Sequence, residues 1–162
     1  MLQIRSAEPA DLDALAQVFF QAVREGARGV YSKAQCRAWC PAVPERAVWA
    51  ERLAGSDVLV AEVDGKIAGF MTLIAARGFL DMAFVAPAFG RQGVGAALLS
   101  VLEGRARAAG LTRLETEASL LLEPLLVRQG WRVVTRQEVK RRGEVLRNAK
   151  MAKDLVLDRG HS

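Results

Sequence analysis

The sequence predicts a mixed α/β domain in which helices flank a sheet that contains a parallel strand pair. Helical spacing of apolar residues dominates the first third of the chain, period-two alternation takes over from Asp57, and a strand, a glycine-rich loop and a long helix follow from Phe79. Two strands joined through a helix pair in parallel, whereas two strands joined by a tight turn pair antiparallel. With 162 residues, of which 51% are hydrophobic and 25% charged, the chain suits one domain, spanning residues 1–162, with a buried core.

The first third of the chain predicts one strand followed by helices. The strand is Gln3–Ser6, and Pro9–Arg24 has apolar residues at the spacing of an amphipathic helix. Ser32 is placed to cap a second helix that ends at Pro41. Pro44–Leu53 is predicted as a further helical piece.

The remaining elements are six strands and two helices, in the overall order βααβββαβαββ. Asp64-Gly65 and Arg142-Gly143 suit tight turns between strands, and Gly110 and Gly130 suit the ends of helices. In chain order the elements are the strands Val58–Val63, Lys66–Ala75 and Phe79–Val85, the helix Gln92–Ala109, the strand Leu111–Glu117, the helix Glu123–Gln129, and the strands Trp131–Val139 and Val145–Leu155.

The composition argues against a membrane protein and a metalloprotein. No apolar stretch is long enough to span a bilayer and the N-terminus lacks a signal-peptide pattern, so a cytoplasmic protein without a membrane partner is expected. The two cysteines, Cys36 and Cys40, fall on one helical face, where structural thiols are favoured over a metal site because the single histidine is His161. No metal is therefore expected, and chemistry built on a Ser–His or Cys–His pair is disfavoured.

The positive charge of the chain is concentrated near its C-terminal end. The formal net charge is +5, and residues 131–153 hold eight Lys and Arg against two Glu. Such a segment attracts nucleic acid, a polyanionic cofactor or an acidic substrate, or is the solvated face of a hairpin. Because it lacks the interleaved aromatic residues of single-strand binders, no nucleic-acid partner is expected.

The segment that carries chemistry is a strand, a glycine loop and the start of a helix. A hydrophobic strand runs to Pro87, and glycines at positions 90, 93 and 95 lead directly into the long helix. Glycines allow close approach of backbone N–H groups to a ligand, and the first helical turn adds unpaired N–H groups and partial positive charge. Together with Arg91, these groups predict a site for phosphate oxygens.

Two common phosphate-binding patterns do not fit this loop. The nucleotide P-loop requires a lysine after its second glycine, and none follows here. The dinucleotide fingerprint requires a third glycine where the chain has Leu98. A different phosphate-bearing ligand is therefore expected.

The same residues resemble the GNAT (GCN-five-related) N-acetyltransferases. The family signature, Gln/Arg-x-x-Gly-x-Gly/Ala after a Val-x-Pro strand end, is similar to Val85-Ala86-Pro87 followed by Gly90–Gly95, although the first position is Gly90 rather than Gln or Arg. Tyr31-Ser32, Gln35, Ala38-Trp39 and Leu80–Met82 are most similar to the small bacterial YafP-like subgroup. The resemblance covers nearly the whole chain. It implies the GNAT fold, a central mixed, mostly antiparallel sheet with a splayed parallel strand pair.

The resemblance also implies the co-substrate acetyl-CoA and direct transfer of its acetyl group to an amine. The pantetheine arm would run beside the strand at Phe84 and Val85, with backbone N–H groups of this strand stabilising the oxyanion. Ser119 and Leu125 would line the other wall. The pyrophosphate would lie on the loop and helix start, made by Gly90, Arg91, Gln92, Gly93, Val94, Gly95 and Ala96.

Two carboxylates are candidates for the base that removes a proton from the amine. Asp81 interrupts an apolar run, where burial would raise its pKa toward a useful range unless an arginine pairs with it. Glu117 alternates with Glu115 and Ser119 on one face of the next strand and could reach the same cleft, or be a solvated glutamate.

The general acid is less clearly indicated. The family's usual tyrosine position is occupied by Leu126, and Tyr31, the single tyrosine, would donate a proton or shape the acceptor pocket. The expected acceptor is a small-molecule amine or a protein amino group, and the expected oligomeric state a monomer or homodimer. The alternatives are an acyl-CoA-binding sensor without turnover and a basic nucleic-acid-binding protein.

Overall fold

A computed structural model describes residues 1–156 and centres on a seven-stranded sheet. His161 lies outside the described residues. The strands are β1 (Leu2–Ser6), β2 (Asp57–Val63), β3 (Lys66–Ile74), β4 (Phe79–Val85), β5 (Arg113–Ser119), β6 (Arg132–Arg141) and β7 (Glu144–Asp154). The helices are α1 (Leu12–Arg24), α2 (Lys33–Trp39), α3 (Arg46–Leu53), α4 (Val94–Ala108) and α5 (Glu123–Arg128).

Local capping and turn residues explain most element boundaries. Ser32 accepts a hydrogen bond from the Gln35 N–H at 3.0 Å and caps α2 as expected. Pro9 begins a short 3₁₀ turn rather than α1 itself. The helix α4 begins two residues later than predicted because Gly93 has a left-handed φ of +76°. The predicted helical piece Pro44–Leu53 is found as the helix α3, a third helix before the hairpin that the predicted element order did not count.

The sheet order is β1-β2-β3-β4-β5-β7-β6. Its neighbours are antiparallel except β4 and β5, which are parallel and joined through α4. The predicted mixed sheet with one parallel pair is therefore confirmed. The sequence did not predict that β7 would lie between β5 and β6.

The parallel pair separates soon after it forms. Only Phe79 with Glu115 and Leu80 with Thr116 are in register, and the Thr116 hydroxyl donates to the Leu80 carbonyl at 2.6 Å there. Beyond Leu80, β4 continues to Val85 and β5 continues to Ser119 without pairing to each other. A gap therefore opens between the two strands toward their C-terminal ends.

Apolar side chains pack on both faces of the sheet. One cluster joins α4 and α5 to the sheet around Leu80, Leu98 and Leu126, and the other joins α1, α2 and α3 to the opposite face around Phe70 and Trp49. Among residues 1–156, each helix is too short or too polar to cross a bilayer. The N-terminal helices and the separated strands together define the space described next.

Candidate active site

A cavity of about 490 Å³ lies against β4, between the N-terminal helices and the C-terminal strands. Aromatic side chains form much of its inner wall, and polar groups reach it from several elements. The aromatic residues are Phe19, Tyr31, Trp39, Trp49, Phe79 and Phe84, and the charged residues are Arg52, Asp81, Glu117, Arg141 and Arg142. All three predicted catalytic residues thus line one cavity.

A β-bulge in β4 brings Asp81 to this cavity. Thr72 is in register with Met82 and Leu73 with Leu80, so Asp81 is the extra residue on β4. The Thr72 hydroxyl accepts a hydrogen bond from the Met82 N–H at 2.9 Å and holds the distorted strand in place. The bulge lets Leu80 pack toward α4 while Met82 packs toward α1.

Asp81 is ion-paired. Both of its carboxylate oxygens accept hydrogen bonds from Arg52 on α3, Oδ2 from Nη1 and Oδ1 from Nη2 at 3.2 Å. The Asp81 side chain is 13% exposed. Of the alternatives that the sequence left open for Asp81, pairing with an arginine is the one observed, because α3 supplies the cation. Its assignment as the base remains a prediction.

Glu117 reaches the cavity from β5 and is exposed. Its neighbour across the ladder is Lys150 of β7. Within residues 1–156, no cationic nitrogen lies within 4.0 Å of its carboxylate oxygens. Glu117 is thus a carboxylate of the cavity with both oxygens free of ion pairs to described residues.

Tyr31 is buried, and its hydroxyl joins two separate parts of the chain. The hydroxyl donates to the Arg147 carbonyl of β7 and accepts from the Leu120 N–H at 3.0 Å. Burial raises the pKa of Tyr31 above its ordinary value. Its ring meets Trp39 edge-on at 5.7 Å between centroids. These contacts describe a group that shapes the cavity wall, and its role as a proton donor remains a prediction.

The loop before α4 presents free backbone donors. The Ala97 N–H donates to the Gly93 carbonyl at 3.0 Å as the first bond of the helix, so the N–H groups of Val94, Gly95 and Ala96 have no acceptor within it. Gly93 has a φ of +76°, and Arg91 has a left-handed φ of +61°. Gly90, Arg91, Gln92 and Gly93 lie along the exposed approach to this turn, while the Val94 side chain is buried in the core.

The start of α4 packs closely against α5 beside the gap between β4 and β5. A Cβ at Gly95 would lie 2.8 Å from Leu125 Cδ2 and 3.9 Å from Val85 Cγ2, so a larger residue would require the Leu125 side chain to move. Ser119 ends β5 and accepts a hydrogen bond from the Leu122 N–H at 3.2 Å. The Phe84 side chain, in contrast, packs with Phe19, Trp39 and Phe70 on the cavity face. The Phe84 side chain therefore faces the cavity rather than the gap, and the predicted contact of Phe84 with the co-substrate remains a prediction.

The arrangement fits a ligand with a diphosphate and a long extended arm. The helix start and glycine loop offer N–H donors to phosphate oxygens, and nothing lies within 4 Å of the position that a Cβ of Gly93 would occupy. The Ala86 N–H donates to the Ala68 carbonyl, so the alternation of an antiparallel ladder directs the N–H groups of Ala83 and Val85 toward the gap. An extended arm can lie there as an added strand.

Sequence reasoning did not place five polar residues at the site. Arg52, Thr116, Arg141, Arg142 and Asn148 all line the cavity. Arg141 and Arg142 were recognised only as members of the basic segment 131–153, and Arg142 also as half of a turn with Gly143. The others carry no local signal, because each meets its cavity neighbours only through the packing of distant elements.

Comparison with known proteins identifies the family. The description "Acetyltransferase (GNAT) domain" matches residues 27–155. The N-acetyltransferase YafP of Escherichia coli (strain K12) is 35% identical over 142 residues, which cover 88% of this chain and 89% of that protein. The chain therefore belongs to the GNAT acetyltransferase family.

Solved structures agree with this assignment. A GCN5-related N-acetyltransferase from Rhodopseudomonas palustris superposes with a TM-score of 0.88 at 31% identity, covering 94% of this chain and 95% of that one. A phosphinothricin acetyltransferase from Sinorhizobium meliloti, solved with AcCoA, has a TM-score of 0.73 at 23% identity over 95% of this chain and 88% of that one, and shows the fold alone. The predicted family, its YafP-like subgroup, the fold class and the enzyme class of acyltransferase are confirmed.

Proposed function

We propose that this protein transfers the acetyl group of acetyl-CoA directly to an amine that enters the cavity. The observation that carries the proposal is the separation of β4 from β5 beside the glycine loop, with a cavity that residues of both strands line. Solved neighbours of the same fold contain AcCoA or coenzyme A, which supports this co-substrate. The family assignment supports the reaction class.

The chain's own groups have separate tasks in binding the co-substrate, which supplies an activated acetyl thioester. The N–H groups of Val94, Gly95 and Ala96 would hold the diphosphate, and Arg91 would add charge. The outward N–H groups of Ala83 and Val85 are placed to donate to carbonyl oxygens in the gap. These contacts would fix the thioester at the cavity end of the gap.

Direct transfer is favoured over a covalent enzyme intermediate. Cys36 and Cys40 are buried, with exposures of 1% and 2%, and neither lines the cavity. Burial raises the pKa of Cys40 to about 11, so its thiol is protonated at neutral pH. The amine of the acceptor is therefore the nucleophile.

Glu117 is the base that the geometry favours. An amine with a pKa of about 10.4 costs roughly 4–5 kcal/mol to deprotonate at pH 7, so a base that accepts its proton is useful. Both oxygens of Asp81 already accept from Arg52, whereas the Glu117 oxygens carry no ion pair with described residues. Asp81 would then fix Arg52 and the bulge at the cavity wall.

The assignment is tested by acetyl transfer to a panel of amines, measured as release of the coenzyme A thiol. Glu117→Gln should lower kcat roughly 10²–10⁴-fold, the usual effect of removing a positioned base. Glu115→Gln is the matched control, since Glu115 lies on the same strand, outside the cavity and paired with Arg113 at 2.9 Å. Stabilisation by acetyl-CoA should remain in both variants.

Asp81→Asn distinguishes the two carboxylates. It should reduce stability by leaving Arg52 without its partner, and lower kcat less than Glu117→Gln. If instead Asp81→Asn abolishes the acidic limb of the pH–rate profile and Glu117→Gln does not, Asp81 is the base. Normal turnover by both variants would mean that water or the acceptor itself takes the proton.

A sensor without turnover is the second candidate, and one observation favours it. Leu126, at the family's usual tyrosine position, is fully buried and packs in the core beneath α5. That position therefore offers no proton donor to the gap. Retention of acetyl-CoA together with absence of transfer to every amine in the panel would support the sensor.

A further inference from the structure

The cavity carries more positive than negative charge once its internal ion pair is set aside. Arg52 and Asp81 neutralise one another. Of the remaining charged side chains of the wall, Glu117 is a carboxylate and Arg141 and Arg142 are guanidinium groups. A cavity that received only a simple amine would not need this excess of cations, because like charges repel.

The two guanidinium groups are available to a ligand. Within residues 1–156, no carboxylate oxygen lies within 4.0 Å of either Arg141 or Arg142. Arg142 Nη1 donates to the Ala38 carbonyl at the end of α2 at 2.7 Å, which ties the side chain to this helix. A guanidinium has five N–H donors, so most of them remain for an anion.

The backbone at Arg142 supports a role for its side chain. Arg142 has a left-handed φ of +45° in the two-residue turn with Gly143, a position at which Asn, Asp or Gly is favoured. Arginine is not favoured at this position of the turn, and such departures from local preference are expected at residues that make a functional contact. The hydrogen bond to the Ala38 carbonyl explains the orientation of the Arg142 side chain. An anion bound in the cavity would explain its positive charge.

Hydrogen-bond acceptors lie at another part of the same cavity. The Asn148 Oδ1 atom is buried and has no donor among residues 1–156. Asn148 is in register with Ser119, two residues from Glu117 on β5. A buried acceptor without a donor costs free energy unless a ligand supplies one. An ammonium or amine can donate hydrogen bonds to the side-chain oxygens of Glu117 and Asn148.

The two parts are well separated along β7. Lys150 is in register with Glu117, and Glu144 is in register with Arg141. Six residues of strand cover about 20 Å at the usual rise. Long arginine side chains shorten this distance but do not remove it. Trp39, Val48 and Leu146 supply apolar wall to the cavity.

We infer that the acceptor is an elongated amine with an anionic group at the opposite end and an apolar middle. The inference rests on the proposed function, whose cavity it describes. The amine would be received by Glu117 and Asn148 next to the gap, and the anion by Arg141 and Arg142. A compact amino acid would be too short to reach both.

The test compares three probes in the acetyl-transfer assay at fixed, saturating acetyl-CoA. 6-Aminohexanoate has the amine, the apolar middle and the carboxylate, 6-aminohexanamide lacks the charge, and glycine lacks the length. We expect kcat/KM for 6-aminohexanoate to exceed that for the amide and that for glycine by at least about tenfold, as a charge-assisted contact allows.

Arg141→Gln should remove this preference. Its KM for 6-aminohexanoate should rise roughly tenfold while kcat and the rate with the amide stay nearly constant. Lys140→Gln is the matched control, because it removes the same charge from the adjacent exposed residue, which does not line the cavity. Lys140→Gln should keep the preference intact, which separates a local contact from the general field of the hairpin.

Each result has a definite reading. Equal rates with acid and amide, or transfer to neither while acetyl-CoA still stabilises the protein, would overturn the inference and leave the proposed co-substrate standing. Equal loss of preference in Lys140→Gln and Arg141→Gln would also overturn it, since general attraction would then explain the data. Failure of acetyl-CoA to bind would refute the proposed function itself.

Discussion

Replacing Gly93 with glutamate should abolish the stabilisation of this protein by acetyl-CoA, and Gly110 provides a matched control. Both glycines adopt left-handed φ values, +76° and +82°, and neither would bring a Cβ within 4 Å of another atom. Gly93 precedes the first turn of α4 and Gly110 follows its last, so about 22 Å of helix separates them. The same substitution thus places the same charge in open space at opposite ends of one helix.

The two variants should lose similar stability in the absence of ligand. A non-glycine residue in the left-handed region costs about 1–2 kcal/mol in each. A carboxylate near the N-terminus of a helix then regains about 0.3–1 kcal/mol, and one near the C-terminus loses a similar amount. Gly110→Glu should therefore be the less stable variant before acetyl-CoA is added.

Their responses to acetyl-CoA should differ in the opposite sense. At a ligand concentration 100 times Kd, binding stabilises the folded state by about 2.7 kcal/mol. For a chain of this length, that corresponds to a rise in Tm of roughly 5–11 °C. Gly110→Glu should keep this rise, and Gly93→Glu should lose it because the new carboxylate would meet the diphosphate.

The assay is a thermal unfolding series over acetyl-CoA concentration, with isothermal titration calorimetry as a second readout. An unchanged shift in Gly93→Glu would remove the glycine loop from the binding site. Equal loss in both variants would point to a general effect of strain or charge on the helix. Either outcome would refute the argument that the glycine loop binds the diphosphate.

Three further predictions address the wall, the pH dependence and the basic hairpin. Tyr31→Phe should cost about 1–3 kcal/mol in urea unfolding, because two partly buried backbone groups lose their partner, while kcat changes only a few-fold. A hydrogen bond from Arg5 lowers the pKa of Asp11. The contribution of this pair to the free energy of unfolding is therefore complete above about pH 4 and is lost as the pH falls through the lowered pKa. When the free energy of unfolding is measured over pH, Asp11→Asn should flatten its decline in acid, and the exposed Asp13→Asn should not. Retention of oligonucleotides by residues 131–153 should disappear at physiological salt, and tight, salt-resistant binding would contradict the proposed function.

Several features of this protein followed from its sequence because residues a few positions apart decide them. The capping of α2 by Ser32, the Asp64-Gly65 turn with φ values of +51° and +80°, and the end of α4 at Gly110 all depend on local conformational preference. The glycine loop belongs to this group, since a left-handed residue directly before a long helix presents N–H donors wherever that helix packs. The family and the glycine loop before α4 were therefore predictable, and phosphate binding by this loop remains a prediction.

The environment of the candidate catalytic groups depended on the tertiary structure. The interrupted apolar run at Asp81 predicted a carboxylate with a purpose, but the bulge and the pairing with Arg52, 29 residues away, set its surroundings. Tyr31 is held by groups 89 and 116 residues distant, and the insertion of β7 beside β5 brings Asn148 next to the strand of Glu117. A sequence pattern shows which side chains are costly to bury unpaired, whereas only the packing of distant elements decides which partner offsets that cost.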